Sequence, residues 1–156
     1  MSVEAVKTYL KEFGLDGKVQ ELPQSSATVE LAAQALGTDP ARIAKTLSFL
    51  TAEGPVLIVA AGDVKIDNAK YRAEFHQKAK MLTPDQVLEL VGHPVGGVCP
   101  FGVNRGVVVC LDVSLKRFET VYPACGSGNS AIQLTIPQLE QASRYDRWVD
   151  VCKPMG

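Results

Sequence analysis

Two almost unbroken apolar runs, Val56 to Ala61 and Val107 to Val113, limit the fold more than any other feature of the chain. Neither approaches the roughly 18 apolar residues that a membrane-crossing helix needs. Each has the length of a strand, and a strand without polar alternation is covered on both faces. The chain must therefore build a sheet whose inner strands are enclosed, with Val107 to Val113 read as the central one.

The flanking segments supply the cover. Val3, Val6, Tyr9, Leu10 and Phe13 fall on one face of a helix over residues 3–13, closed by Gly14 and Gly17. Lys18 to Leu22 reads as a short strand. Thr28 caps a helix from Val29 to Leu36, with Gly37 past its end. Asp39-Pro40 opens a helical turn that ends near Ala44. Thr46 to Leu50 alternates and pairs with Val56 to Ala61 across Glu53-Gly54-Pro55. Asp67 caps a helix from Asn68 to Phe75, and Thr83-Pro84 opens another that runs to Val91. Phe118 to Tyr122 and Ala131 to Thr135 are further strands. Ile136-Pro137 starts a last short helix, and Trp148 to Val151 adds an edge strand. A hairpin excludes a purely parallel sheet. The expectation is one α/β (α+β) domain over residues 1–156, with a mixed, curved, barrel-like sheet surrounded by helices.

Charge narrows the function. Sixteen Lys and Arg against seventeen Asp and Glu leave a net charge of −1, which argues against bulk nucleic-acid binding. A local basic patch remains open, and residues 65–80 hold Lys65, Lys70, Arg72, Lys78 and Lys80 against Asp67 and Glu74. The N-terminal segment lacks the apolar core of a signal peptide, so a cytoplasmic protein without membrane contact is expected. Cys99, Cys110, Cys125 and Cys152 include no CxxC pair, and His76 and His93 are far apart, so no metal site is expected. Cys99 and Cys125 lie beside glycines and are candidates for a pocket wall, yet no adjacent His is seen to activate either.

Two glycine-rich loops stand out, Gly96 to Gly102 and Cys125 to Ser130. Glycine lets a main chain approach a ligand, and successive free N–H groups bind a phosphate, carboxylate or oxyanion. Neither loop ends in the Gly-Lys-Ser/Thr of a nucleotide-binding P-loop. Gly126-Ser127-Gly128 precedes a strand rather than a helix, so it is no dinucleotide fingerprint. Lys45 stands between the Pro40 turn and an apolar strand, with Ile43, Leu47 and Phe49 around it. It reads either as a snorkelling surface lysine or as a fixed cation for a phosphate or carbonyl oxygen.

The order of these parts resembles a known family. Thr28 with the helix Val29 to Gly37, Ala44-Lys45-Thr46-Leu47-Ser48-Phe49, Val56 to Asp63, Gly96 to Gly102, Val109 to Asp112, and Gly126 to Ser130 together look like the YbaK/EbsC family of aminoacyl-tRNA deacylases. That family is related to the editing domain inserted in bacterial prolyl-tRNA synthetase. The resemblance implies hydrolysis, without a cofactor, of the ester that joins a wrong amino acid to the 3′ end of a tRNA. It implies mischarged tRNA as the partner, with an aminoacyl-tRNA synthetase as a possible second one. The family lysine falls on Lys45, its Gly-x-x-x-Pro loop on Gly96 to Pro100, and its second glycine loop begins at Gly126. Lys45, Gly97 and Gly126 are the expected catalytic positions. Thr28, Leu47, Gly96, Val98, Cys99, Pro100, Phe101, Ser127 and Asn129 are the expected substrate contacts. In the family's cysteinyl-tRNA(Pro) deacylases an acidic residue follows the second loop; here Ala131 stands there, which leaves alanine or another small amino acid open.

Physical reasoning agrees with such an activity. A synthetase pocket separates neighbours one methylene apart by only about 1–3 kcal/mol, so small amino acids need a second sieve. An aminoacyl ester is reactive, and a site of placed amides and one cation is sufficient to promote its hydrolysis. Asp63 and Asp112 are alternative bases, although each follows an apolar strand as a turn cap would. Two other classes compete: a module that binds tRNA or a synthetase without chemistry, and a thiol-redox protein using Cys99 or Cys125.

Overall fold

The computed structural model describes residues 2–155. The enclosed strands predicted from the apolar runs form the inner part of a mixed, curled six-stranded sheet. Strands β1 (Gln20–Glu21), β2 (Ile43–Thr51), β3 (Gly54–Ala61), β4 (Val64–Ile66), β5 (Val108–Asp112), β6 (Thr120–Pro123), β7 (Ser130–Ala131), β8 (Leu134–Thr135), β9 (Arg147–Val149) and β10 (Cys152–Pro154) alternate with helices. The large sheet runs β8-β6-β2-β3-β5-β9, while β1 pairs with β7 and β4 with β10. The hairpin β2–β3 is antiparallel, with Lys45 opposite Ala60; β6 joins β2 and β5 joins β3 in parallel.

Leu57 to Ala61 are wholly buried, as a strand read without alternation requires. The central place, however, belongs to β2 and β3. Val108–Asp112 is one strand from the edge, where the short β9 covers its outer side. Strand β2 also begins earlier than its pattern suggests, at Ile43, because the turn Pro40–Arg42 is a single 3-10 turn. The strand expected over Ala131 to Thr135 is broken into β7 and β8, which pair with different partners, β1 and β6. The β4–β10 ribbon was not foreseen; each of its strands has three residues, too few to show a period.

Helix α1 (Val3–Leu10) buries Val3, Val6 and Leu10 and continues as a 3-10 turn through Phe13. Helix α2 (Val29–Leu36) starts where the Thr28 hydroxyl accepts from the Leu31 N–H at 3.2 Å and stops at Gly37, which takes a left-handed conformation at φ 66°. Helix α3 (Asn68–Phe75) is capped by Asp67, and α5 (Ile136–Ser143) by Thr135. Helix α4 (Pro84–Gln86) passes into a π turn over Val87–Val91, ended by Gly92. Just before it, Lys80 to Leu82 extends the sheet along β2: the Leu50 N–H donates to the Lys80 carbonyl and the Leu82 N–H to that of Ser48. No helix among the described residues is long and apolar enough to cross a membrane.

Candidate functional site

A cavity of about 330 Å³ opens where β2, the Ser26 to Ala32 segment, the Met81 to Val87 segment, the first glycine loop and the β7 segment meet. The connections above explain the meeting. Thr28 holds the start of α2 beside β2, and the main-chain bonds from Leu50 and Leu82 hold Met81 against its other end. Of the residues expected to touch substrate, Thr28, Lys45, Leu47, Gly96 and Val98 line this cavity.

The rest are placed differently. Cys99 and Phe101 are fully buried behind it, with no surface to offer a ligand. Pro100 borders a second, smaller hollow. Gly97, Gly126, Ser127 and Asn129 do not line the cavity either. The two loops are instead pressed against each other. A Cβ on Gly97 would lie 2.6 Å from the Ser127 nitrogen and 2.8 Å from the Gly126 carbonyl carbon. Gly126 in turn, at φ 94°, sits against α1, where a Cβ would meet Val6 Cγ2 at 2.8 Å. Close packing of main chains, rather than approach to a ligand, is what these two glycines permit. The Gly97 N–H is also already engaged, donating to the Pro94 carbonyl at 3.0 Å. The free amides lie to either side: the N–H groups of Gly96 and Val98 have no hydrogen-bond acceptor among the described residues. Ser127 and Asn129 stiffen their own loop, the Ser127 hydroxyl donating to Ser130 Oγ at 2.8 Å and the Asn129 amide to the Leu22 carbonyl at 3.2 Å.

Lys45 is half-buried, and its ammonium donates to the Val64 carbonyl, with Met155 Sδ at 4.0 Å. Burial lowers its pKa below the ordinary lysine value, while Cys152, Asp63 and Glu30 pull the other way. Asp63 is committed to Arg117, which holds it by two hydrogen bonds and depresses its pKa. Asp112 accepts from the Ser114 and Val151 N–H groups. Asp112 therefore anchors a turn and Asp63 an ion pair, and among the described residues no Asp, Glu or His lines the cavity.

Sequence reasoning missed Ser26 and Thr46, which line the cavity and whose hydroxyl oxygens are buried without a partner. A buried hydroxyl left unpaired costs about 1–3 kcal/mol, so two beside one cavity are a ligand-facing signal. Thr46 directly beside Lys45, between apolar neighbours Ala44 and Leu47, was the trace available in the sequence. A second omission concerns the cysteines. His93 Nε2 lies 3.5 Å from Cys99 Sγ, six residues away in the chain, and 2.8 Å from the Phe101 carbonyl. Cys99 therefore does have a histidine neighbour, brought to it by the fold of the loop between them. Yet both side chains are fully enclosed, and burial pushes the Cys99 thiol up to about 12. Burial also raises Cys110 to about 11, and Cys125 well above its usual range. These are inert, packed thiols. Among the described residues no cluster suited to a metal ion exists.

Residues 24–142 match the family profile of the aminoacyl-tRNA editing domain. The chain belongs to that family. The editing domain is 54% identical over 155 residues to the uncharacterised protein YwhH of Bacillus subtilis, covering 98% of both chains. It is 36% identical over 93 residues to the proline–tRNA ligase of Thermotoga sp. strain RQ2, a match that spans 58% of this chain and 16% of that enzyme. A crystal structure described as a candidate trans-editing enzyme for prolyl-tRNA synthetase superposes with a TM-score of 0.87 at 30% identity, covering 99% of this chain and 97% of the other. The fold and the relation to the editing domain of prolyl-tRNA synthetase are those the resemblance implied.

Proposed function

We propose that this editing domain acts in trans as an aminoacyl-tRNA deacylase, hydrolysing the ester of a small amino acid misattached to tRNA(Pro) or a similar tRNA. The observation that carries this reading is the cavity: one lysine, the unengaged main-chain amides of Gly96 and Val98 and two unpartnered hydroxyls, with no Asp, Glu or His among the described residues that line it. Water attacks the ester carbonyl carbon, and the bond to the ribose oxygen breaks. The ribose oxygen takes up a proton, and free amino acid leaves. The Gly96 and Val98 N–H groups stabilise the developing oxyanion. Lys45, released from the Val64 carbonyl, holds the terminal phosphate or that same oxygen. Ser26 and Thr46 bind polar atoms of the aminoacyl group. With no side-chain base in the cavity, the proton from water passes to the substrate's own amine or to the neighbouring ribose hydroxyl.

The lining is mainly apolar and of modest volume, with Ala32, Ala44, Leu47, Val87, Val98 and Ala131 among its residues. A small aminoacyl side chain suits it, and Ala131 offers no charge at the place where cysteinyl-specific relatives carry an acid. Purified protein assayed against Ala-, Cys-, Ser- and Pro-charged tRNA(Pro), with Lys45→Ala alongside, tests the reading. Faster release of one small amino acid, slowed about a hundredfold by Lys45→Ala, is expected. Unchanged ester lifetimes for the whole panel would make the protein a binding module instead, and full activity of Lys45→Ala would remove that residue from the mechanism.

A further inference from the structure

The β4–β10 ribbon carries an arrangement that ester hydrolysis does not use. Its register sets Lys65 directly opposite Lys153. Side chains so opposed leave the same face with Cβ atoms about 5 Å apart, and like charges there repel. Both lysines are exposed, and neither forms an ion pair among the described residues. Some of the other cations are neutralised. Lys7 meets Glu21, Lys70 meets Asp150, Arg117 meets Asp63, and Arg147 meets Glu74 and Asp146. The acid nearest in kind, Asp67, is occupied as the α3 cap by the N–H groups of Lys70 and Ala69, and feels Lys153 only through space. What distinguishes these two from the other unpaired cations is that the ribbon register holds them face to face.

Their position gives them a purpose. Val64, one residue before Lys65, is the carbonyl that holds the Lys45 ammonium. Pro154 lies opposite Val64, and the next residue, Met155, places its sulfur beside that ammonium. The lysine pair therefore sits one step along the ribbon from the cation that lines the cavity. A tRNA whose terminal ribose reached Lys45 would have its preceding phosphates free to run along this ribbon. Resting on the deacylase reading, we propose that Lys65 and Lys153 form a phosphate clamp for the sugar-phosphate backbone of the tRNA acceptor end. A phosphodiester between the two ammonium groups relieves the repulsion that the fold builds in, so part of the cost of placing them is returned on binding.

The experiment measures binding of labelled, uncharged tRNA across a salt series, with melting temperature alongside. Lys65→Ala/Lys153→Ala should weaken binding about tenfold near 0.1 M salt and lower the slope of log affinity against log salt by about 0.7–0.9, the value for one phosphate contact. Lys153→Glu gives the sharper readout. It creates an opposite-charge pair with Lys65, so the melting temperature holds or rises while tRNA binding falls. Lys11→Ala/Lys18→Ala, which removes the same charge elsewhere, should bind as wild type does. Wild-type affinity and slope in both ribbon variants overturn the clamp. So does a loss of hydrolysis that is equal on mischarged tRNA and on aminoacyl-adenosine, which has no phosphate to hold. A protein that binds tRNA through the lysines yet hydrolyses no charged tRNA supports the clamp while the deacylase reading falls. A protein that hydrolyses while its ribbon variants bind normally loses the clamp alone.

Discussion

Replacing Gly97 by alanine isolates the packing of the two glycine loops. Gly97 does not use a left-handed conformation, so alanine meets no backbone objection there. The added Cβ would lie 2.6 Å from the Ser127 nitrogen and 2.7 Å from its Cα, so the loops must part by roughly 0.8 Å to reach ordinary 3.4 Å contact. Neither neighbour is the end of a flexible side chain. Both belong to main chain that Ser127, Asn129 and Ser130 tie in place. Overpacking of this kind costs about 1–3 kcal/mol. For a chain of this length each kcal/mol moves the melting temperature by about 2–4 °C, so a fall of about 2–12 °C is expected by calorimetry. Gly17→Ala is the control. Nothing lies within 4 Å of its added Cβ and its φ is unexceptional, so its melting temperature should hold or rise slightly. Because Gly96 and Val98 flank Gly97 and line the cavity, deacylation by Gly97→Ala should fall by more than its stability loss explains. If Gly97→Ala melts with Gly17→Ala and retains full kcat/KM, close loop packing is not the reason for glycine at this position.

Ser26→Ala and Thr46→Val remove hydroxyls that have no partner among the described residues. Each should therefore leave stability equal or raise it by up to about 1 kcal/mol in denaturant titration, while kcat/KM falls. A stability loss with unchanged activity would make both hydroxyls structural. The four thiols, all buried, should resist a thiol reagent at pH 8 in the native state and react fully in denaturant. Rapid native modification of Cys99 would reopen thiol chemistry. Lys45→Met tests the sign of a burial effect. Burial lowers the Lys45 pKa in the fold, so the folded protein releases this proton before the unfolded chain does at 10.5. Its destabilising effect is complete below the lowered pKa and disappears as pH rises to the unfolded value. The stability of wild type relative to Lys45→Met should accordingly improve from pH 8 towards 10.5, and a flat difference would show that the ammonium is not penalised by burial.

Elements with a clear period or cap were legible in the sequence. The Val3, Val6 and Leu10 face, the Thr28 and Asp67 caps and the Val56 to Ala61 run each appear as read. That Lys45, Leu47 and Thr28 line one cavity was implied only by the family resemblance, since local spacing does not say which strand and helix ends converge. What stayed hidden was long-range. Three-residue strands such as Val64–Ile66 have no pattern of their own and exist only through their partner. The His93–Cys99 contact depends on how one irregular loop folds back on itself. Glycine was the most ambiguous letter: it equally signals approach to a ligand and approach to another main chain, and only the Ser127 contact decides for Gly97.

That decision changes how the site is built. If Gly97 and Gly126 had faced the cavity, the amides would belong to flexible residues and would need a substrate to order them. Pressed together, they give the first loop a rigid backing: Gly126 leans on α1, Gly97 leans on Ser127, and the Gly97 N–H is fixed to Pro94. The free amides of Gly96 and Val98 are then presented from a braced segment, and donors that need no reordering are those that stabilise developing charge most effectively. The buried thiols fit the same arrangement. Cys99 and Cys125 fill the space beneath the loops with small apolar groups, where a larger side chain would push the loops apart and a charged one would have no partner. An ester hydrolase without a side-chain base depends on such support, because position is most of what it contributes to the reaction. Residues that never touch the substrate, Gly97 first among them, are therefore expected to affect the rate as well as the stability.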